Sequence, residues 1–334
     1  MPRPTVTRVL SSLVVLTGAG WALAALPAYF PALPVPRDNP QAAAKIALGR
    51  QLFYDRRLSA DDTISCSDCH QQRFAFSNAG NRVSTGIGGQ KGSRNAPSLG
   101  NVAWRKSLFW EGGAPTLELQ AMGPITAHDE MGMEPARLVR KLSSIPGYKR
   151  QFAAVFKDGV TMLNITRAIA AFERTFVTAN SAWDRYRAGD ENALSPAALR
   201  GMDLFFGESG DCFHCHNGFN FTNESLHNTG IHLENTDLGL ARITGKKTDA
   251  GKFKTPSLRN VALTAPYMHD GSIATLEGVL EHYNSGGKNN DNVDTLMRPL
   301  GLSKAQIADI IAFLNALTDT EFIKKPKLSR PALP

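Results

Sequence analysis

The chain holds four cysteines, and all four fall in two copies of one pentapeptide, Cys66-Ser67-Asp68-Cys69-His70 and Cys212-Phe213-His214-Cys215-His216. Cys-x-x-Cys-His is the attachment signature of c-type haem. Two thiols at this spacing bond to the porphyrin edge, and the histidine that follows reaches the iron from one face. A redox dithiol, a Cys₄ zinc site or two disulfides would also use four cysteines. None of these needs a histidine in the same place twice. Two covalently bound haem c groups are therefore expected, anchored by Cys66, Cys69, Cys212 and Cys215, with His70 and His216 on the irons.

Haem attachment of this kind belongs outside the bacterial cytoplasm, and the amino terminus agrees. Arg3 and Arg8 precede an apolar run from Val9 to Ala25, and no charge follows until Arg37. That is the pattern of a secretory signal. The run falls short of the roughly 20 residues a spanning helix needs. Residues 1–30 are accordingly read as a signal cleaved near Ala22 to Ala25, with an uncleaved membrane anchor as the alternative. The periplasm is the expected compartment. Pro27, Pro31, Pro34 and Pro36 then form an extended tether.

Without residues 1–30 the chain keeps 35 basic and 30 acidic residues. Four haem propionates offset most of that excess, so charge gives no reason to expect nucleic acid or an acidic membrane surface as a partner.

Each haem loop needs an element to hold it, and the sequence supplies one twice. Gly49-Arg50-Gln51-Leu52-Phe53 precedes the first pentapeptide and Gly201-Met202-Asp203-Leu204-Phe205 the second, each read as a helix leading into the loop. Asn39-Pro40 and Ser195-Pro196 each set a capping residue before a proline suited to the first helical position. Ile165, Ile169, Phe172 and Phe176 form an apolar stripe over 165–176. A second helix is expected over 303–317, with Ser303 and Gln306 as a capping box and Ile307, Ile310, Ile311 and Leu314 facing inward. Alternating strand patterns are almost absent. The chain is read as all-α: two cytochrome c-like haem domains with long loops, residues 31–190 and 191–325, divided near Gly189 to Ser195.

The segments between these elements carry a resemblance. Arg94-Asn95-Ala96-Pro97-Ser98-Leu99, Phe109-Trp110, Gln120-Ala121-Met122-Gly123-Pro124 and Glu130-Met131 follow the order and spacing of the bacterial di-haem cytochrome c peroxidases and the related MauG-type enzymes. So do Thr255-Pro256-Ser257-Leu258-Arg259-Asn260 and the run from Leu263 to Gly271. The likeness extends from about Asn39 to Leu317. It implies that the His70 haem is the peroxide-binding one and the His216 haem the electron-transferring one. It also implies Glu130 as distal acid/base, Gln120 as a second polar pocket residue and Trp110 as an oxidisable relay between the haems. A carboxylate can move a proton between the two oxygens of peroxide, whereas glutamine only hydrogen-bonds.

Two departures from the ordinary peroxidase pattern stand out. Many of those enzymes close the peroxide-binding haem with a histidine in the loop before Arg94; here Ile87 takes the aligned place, so this haem is expected to be open in the oxidised protein. His128 is another histidine within reach by sequence. At Tyr283 ordinary members carry a methionine ligand and MauG-type enzymes a tyrosine. Leu276, Val279, Leu280 and Tyr283 share one helical face, which points the phenol inward. Its alternative role is a buried tyrosine with a hydrogen-bonded hydroxyl. Met268, His282, His269 and Met297 are rival ligands for the His216 iron.

The resemblance further implies one calcium ion held by Asn95, Thr264 and Pro266, hard oxygen donors suited to that ion. The combined expectation is a periplasmic, MauG-like di-haem c-type peroxidase, an oxidoreductase that reduces hydrogen peroxide at the first haem and shares the oxidising equivalents with the second. A small cytochrome c, a cupredoxin or an unknown substrate would supply electrons. MauG-type enzymes that oxidise a partner protein use a surface tryptophan where this chain has Gly210. The alternative class is a non-catalytic di-haem electron carrier with both irons six-coordinate.

Overall fold

Two helix crossings, each made possible by a glycine, frame the molecule. In the computed structural model, which describes residues 26–334, helix α1 (Ala43–Tyr54) crosses α6 (Met162–Glu173), and α8 (Pro196–Phe206) crosses α11 (Lys304–Ala316). A Cβ on Gly49 would fall on the Ala168 carbonyl of α6, and a Cβ on Gly201 on the Asp309 carbonyl of α11. Only glycine lets backbones come this close. One turn later Phe53 and Phe205 enter the two cores, each with almost no exposed surface. Phe53 meets Phe76, Phe172 and Phe176, while Phe205 meets Phe221 and Phe313.

Between these pairs lie α2 (Cys66–Cys69), α3 (Leu117–Thr126), α4 (Pro135–Ser144), α5 (Pro146–Val155) and α7 (Ala182–Arg187); α9 (Ala241–Thr244) and α10 (Leu276–Asn284) complete the helices among the described residues. The only sheet there is β1 (Leu226–His227) against β2 (Phe253–Lys254), antiparallel. The all-α expectation holds, and long loops fill the remainder.

The caps show where local sequence rules apply. Ser303 caps α11 with Gln306 completing the box, and Ser195 caps α8 ahead of Pro196. The stripe of α6 is buried at Ile165, Ile169 and Phe172, with Phe176 buried just past the helix end. Asn39 does not cap a helix. Its amide is drawn into the interior instead, accepting from Lys45 (2.8 Å) and donating to Glu118 (2.6 Å), and α1 begins only at Ala43.

The halves meet through a matched pair of buried asparagines. Asn101 and Asn260 both adopt left-handed backbone, with φ of 55° and 61°. Asn101 bonds both backbone groups of Thr178, while Asn260 reaches the Thr178 hydroxyl and accepts from the Asp319 amide. Chain segments also cross between cores: α7, ahead of the expected division, lends Trp183 to the second core, and Phe322 and Leu328 return to the first. The proline-rich segment is more than a tether, because Phe30 is buried and Tyr29 donates to Asp184. Two aromatics among the prolines supply the apolar surface that anchors it. The expected signal and its cleavage point lie in residues 1–25, outside the described residues. Among those described, no helix is long and apolar enough to cross a membrane.

Candidate active site

Each pentapeptide folds into a tight turn that sets its two thiols and its histidine along one cavity. In the first, Ser65 and Asp68 form a capping box for α2, and Arg56 clamps Asp68 at 2.6 Å. The His70 amide then closes the turn on the Cys66 carbonyl. His70 Nδ1 donates to the Phe76 carbonyl at 2.8 Å, and His216 Nδ1 to the Phe221 carbonyl at 3.0 Å. A carbonyl can only accept, so each ring is the Nδ1–H tautomer and keeps the Nε2 lone pair for a metal. Burial supports the neutral form, lowering the His70 pKa and pushing that of His216 down to about 4. Phe76 and Phe221 are themselves left-handed, which turns their carbonyls toward the rings.

The residues fit the group their motif implies. Cys66, Cys69 and His70 line a cavity of about 420 Å³, and Cys212, Cys215 and His216 line another of about 250 Å³. No disulfide joins the four cysteines. Burial raises all four thiols, Cys212 to about 12 and Cys215 to about 11, so they remain unionised. Trp110 lines both cavities, with its indole N–H given to the Asn95 carbonyl at 2.8 Å.

The other walls differ in kind. Along the first cavity stand Gln120 from α3 and Glu130 from the loop after it. The pKa of Glu130 is raised to about 7, first by burial and then by the neighbouring Asp129. The loop 84–92 is fastened to the backbone that carries this residue: the Ile87 amide donates to the Glu130 main-chain carbonyl at 2.8 Å, and a Cβ on Gly86 would fall on the Asp129 carbonyl. The Ile87 side chain packs at Gly132, away from the cavity. Among the described residues His70 is the only histidine lining this space, which His128 does not reach; Met131 lies on its wall within the apolar core.

Helix α10, capped by Thr275, presents Leu276, Val279, Leu280 and Tyr283 to the second cavity. The hydroxyls of Tyr29, Tyr54, Tyr148 and Tyr267 all donate hydrogen bonds. That of Tyr283 makes none among the described residues, although it lines a cavity that holds Cys212 and Cys215. Of its rivals, His282 turns away to the Thr229 carbonyl at 2.8 Å. Met268, His269 and Met297 remain on the wall. Gly210 is locked against the Leu204 carbonyl, where any Cβ would clash.

Asn95, Thr264 and Pro266 all line the second cavity. The Asn95 amide nitrogen donates to the carbonyls of Asn81 (3.3 Å) and Arg82 (3.2 Å), which leaves its oxygen unengaged. Among the described residues no backbone N–H donates to the Thr264 or Pro266 carbonyl.

Two groups of residues on these walls escape a reading of the sequence. Glu173 lines the first cavity from α6, with its pKa raised to about 8 by burial and one carboxylate oxygen unbonded. A glutamate four residues after Ile169 on an apolar stripe is the signal that finds it. Arg105, Glu224 and Lys254 gather between the cavities, and no local spacing links them.

The family described as di-haem cytochrome c peroxidase matches residues 43–192. The methylamine utilization protein MauG of Methylorubrum extorquens is 39% identical over 302 residues, covering 88% of this chain and 85% of that protein. The cytochrome c551 peroxidase of Pseudomonas aeruginosa is 34% identical over 311 residues, covering 89% and 84%. Among solved structures, a MauG-like protein associated with microbial copper homeostasis superposes with a TM-score of 0.87 at 38% identity, covering 94% of this chain and 99% of that one.

Proposed function

The chain belongs to the di-haem cytochrome c peroxidase family, a peroxide-acting group of oxidoreductases, and from that premise we propose a division of labour in which peroxide reacts in the His70 pocket while the His216 pocket stores and relays electrons. A haem held at His70 supplies an iron that binds peroxide and passes electrons to it.

The chain's own residues do the rest. The Glu130 carboxylate takes the proton from the inner oxygen of peroxide and returns it to the outer one, and a pKa of about 7 suits a group that must do both near neutrality. The Gln120 amide orients peroxide by hydrogen bonding. Fastening of the Glu130 backbone to loop 84–92 fixes the point from which this side chain reaches into the cavity. Trp110, shared by the two cavities, is the route for electrons between them, and an electron donor outside the chain refills the second site.

The observation that carries this reading is the contrast in possible ligands. Among the described residues His70 is the one histidine lining the first cavity, whereas the second offers, beside His216, an unbonded Tyr283 hydroxyl, with Met268, His269 and Met297 as further candidates. Tyr283, if bound as phenolate to a haem held by His216, would favour ferric and higher iron, which suits the MauG-like form of the reaction. Calcium at Asn95, Thr264 and Pro266 would brace the seam between the halves. Electron paramagnetic resonance of the oxidised holoprotein tests the scheme: one high-spin and one low-spin ferric signal are expected. Two low-spin signals would instead identify a non-catalytic electron carrier.

A further inference from the structure

Eight residues line both cavities, and among them Arg105 and Lys254 are the cations. Both are buried, with side chains 7% and 9% exposed. They share one carboxylate, Glu224, itself 8% exposed: Arg105 meets it at 3.0 Å, and Lys254 Nζ lies 4.0 Å from its second oxygen, which has no hydrogen-bond partner. The Lys254 ammonium donates to the Ser107 carbonyl, and its backbone N–H to the Trp110 carbonyl at 2.7 Å, which fixes the residue beside the indole. Two cations against one anion leave a buried site one positive charge in excess. Such a charge is costly until an anion reaches it.

The other buried cations near the cavities each have at least one carboxylate of their own. Arg259 makes a two-bond pair with Asp184, and Arg94 is held between Asp237 and Glu111. The surplus is therefore local to the wall between the cavities. The anionic groups that a haem brings are its two propionate carboxylates.

We propose that Lys254, together with Arg105, forms a carboxylate site common to both haem pockets, which takes a propionate at their boundary and places one positive charge where it acts on both irons. This rests on the assignment of one haem to each cavity. Without an anion the ammonium is poorly held: burial, then repulsion from Arg105, lowers the Lys254 pKa to about 7. Lys254 is a positioning residue here, setting where a propionate lies and how readily each iron is reduced.

The test is a spectroscopic redox titration of the holoprotein, with the haems told apart by spin state. Lys254→Met should lower both midpoint potentials, moving each ferric–ferrous equilibrium roughly tenfold toward ferric, as a unit charge does across about 10 Å at an effective dielectric constant near 20. Lys254→Arg should restore both. Where Lys254→Met does not accumulate, Lys254→Gln removes the charge and keeps a polar end. A shift at one haem only, no shift at either, or failure of Lys254→Arg to restore the potentials would each overturn the shared site. If the spin pattern of Proposed function is intact in these variants, that reading survives the loss of this one.

Discussion

The two haem-binding halves agree on one face and differ on the other. Below each histidine the pattern repeats closely: a glycine-permitted helix crossing, a buried phenylalanine one turn later, and a left-handed phenylalanine whose carbonyl fixes the Nδ1–H tautomer. Above them nothing corresponds. Residues 109–131 bring an ionisable carboxyl and an amide to the first cavity, whereas α10 and the loops on either side of it bring a phenol, two thioethers and His269 to the second. Duplication thus accounts for the support of the cofactor, and the unlike segments account for its chemistry.

The contrast is broken most deeply at Tyr283. Tyr283→Met should raise the midpoint potential of the His216 haem by about 0.2 V, well inside the span that axial ligands command, and leave the His70 haem unshifted and high-spin. Tyr283→Phe should make the second haem high-spin too, erasing the difference. Unchanged spectra in both variants would hand the ligand role to Met268, His269 or Met297.

The next largest effect tests what the halves share. Gly49→Ala and Gly201→Ala each press a methyl onto a helix carbonyl, so each should cost about 3 kcal/mol or more. Thermal denaturation of the two variants should show comparable losses; a large loss from one alone would mean that the crossings are not equivalent supports.

Glu130→Gln should slow the reaction of oxidised protein with peroxide roughly 10²-fold, about 2.7 kcal/mol in barrier, and leave the spectrum of the second haem unchanged. The pH profile sharpens this. The carboxyl must be ionised to take the first proton, so the wild-type rate should climb as pH rises through about 7 and then level. Stopped-flow traces should lose that inflection in Glu130→Gln.

The smallest effect concerns Glu173. Its folded pKa lies above the ordinary 4.5, near 8, because it is buried. Folding therefore favours its protonated form, and that contribution is lost as pH climbs from about 4.5 through 8. Glu173→Gln keeps the shape and removes the ionisation, so at the alkaline end the variant should be more stable than wild type by about 1 kcal/mol. Denaturant midpoints measured at both ends of this range give the comparison.

The cofactor anchors were legible because thioether chemistry fixes their spacing within five residues. The helix bearing Tyr283 and the box at Ser303 were legible because helical period and capping are local. Asn39 defeated the same local reasoning: Lys45 takes its amide oxygen and Glu118, 79 residues on, its amide nitrogen, so neither is left to cap a helix. Arg105, Glu224 and Lys254 are harder still, since more than a hundred residues separate the first from its carboxylate partner. Such a site exists only once the chain has folded.

The return of Phe322 and Leu328 to the first core bears on how the protein is made. Arg50 and Tyr54 of α1 bond the carbonyls of Ser329 and Leu328, and Gln72, two residues past His70, bonds that of Lys325. A chain synthesised from its amino end carries Cys66 and Cys69 long before these closing residues emerge. The amino-terminal half is consequently complete only with residues 325–329 in place, whereas the α8–α11 crossing needs no residue beyond Ala316. The half that comes first in the chain thus leans on residues 322–329, which line neither cavity.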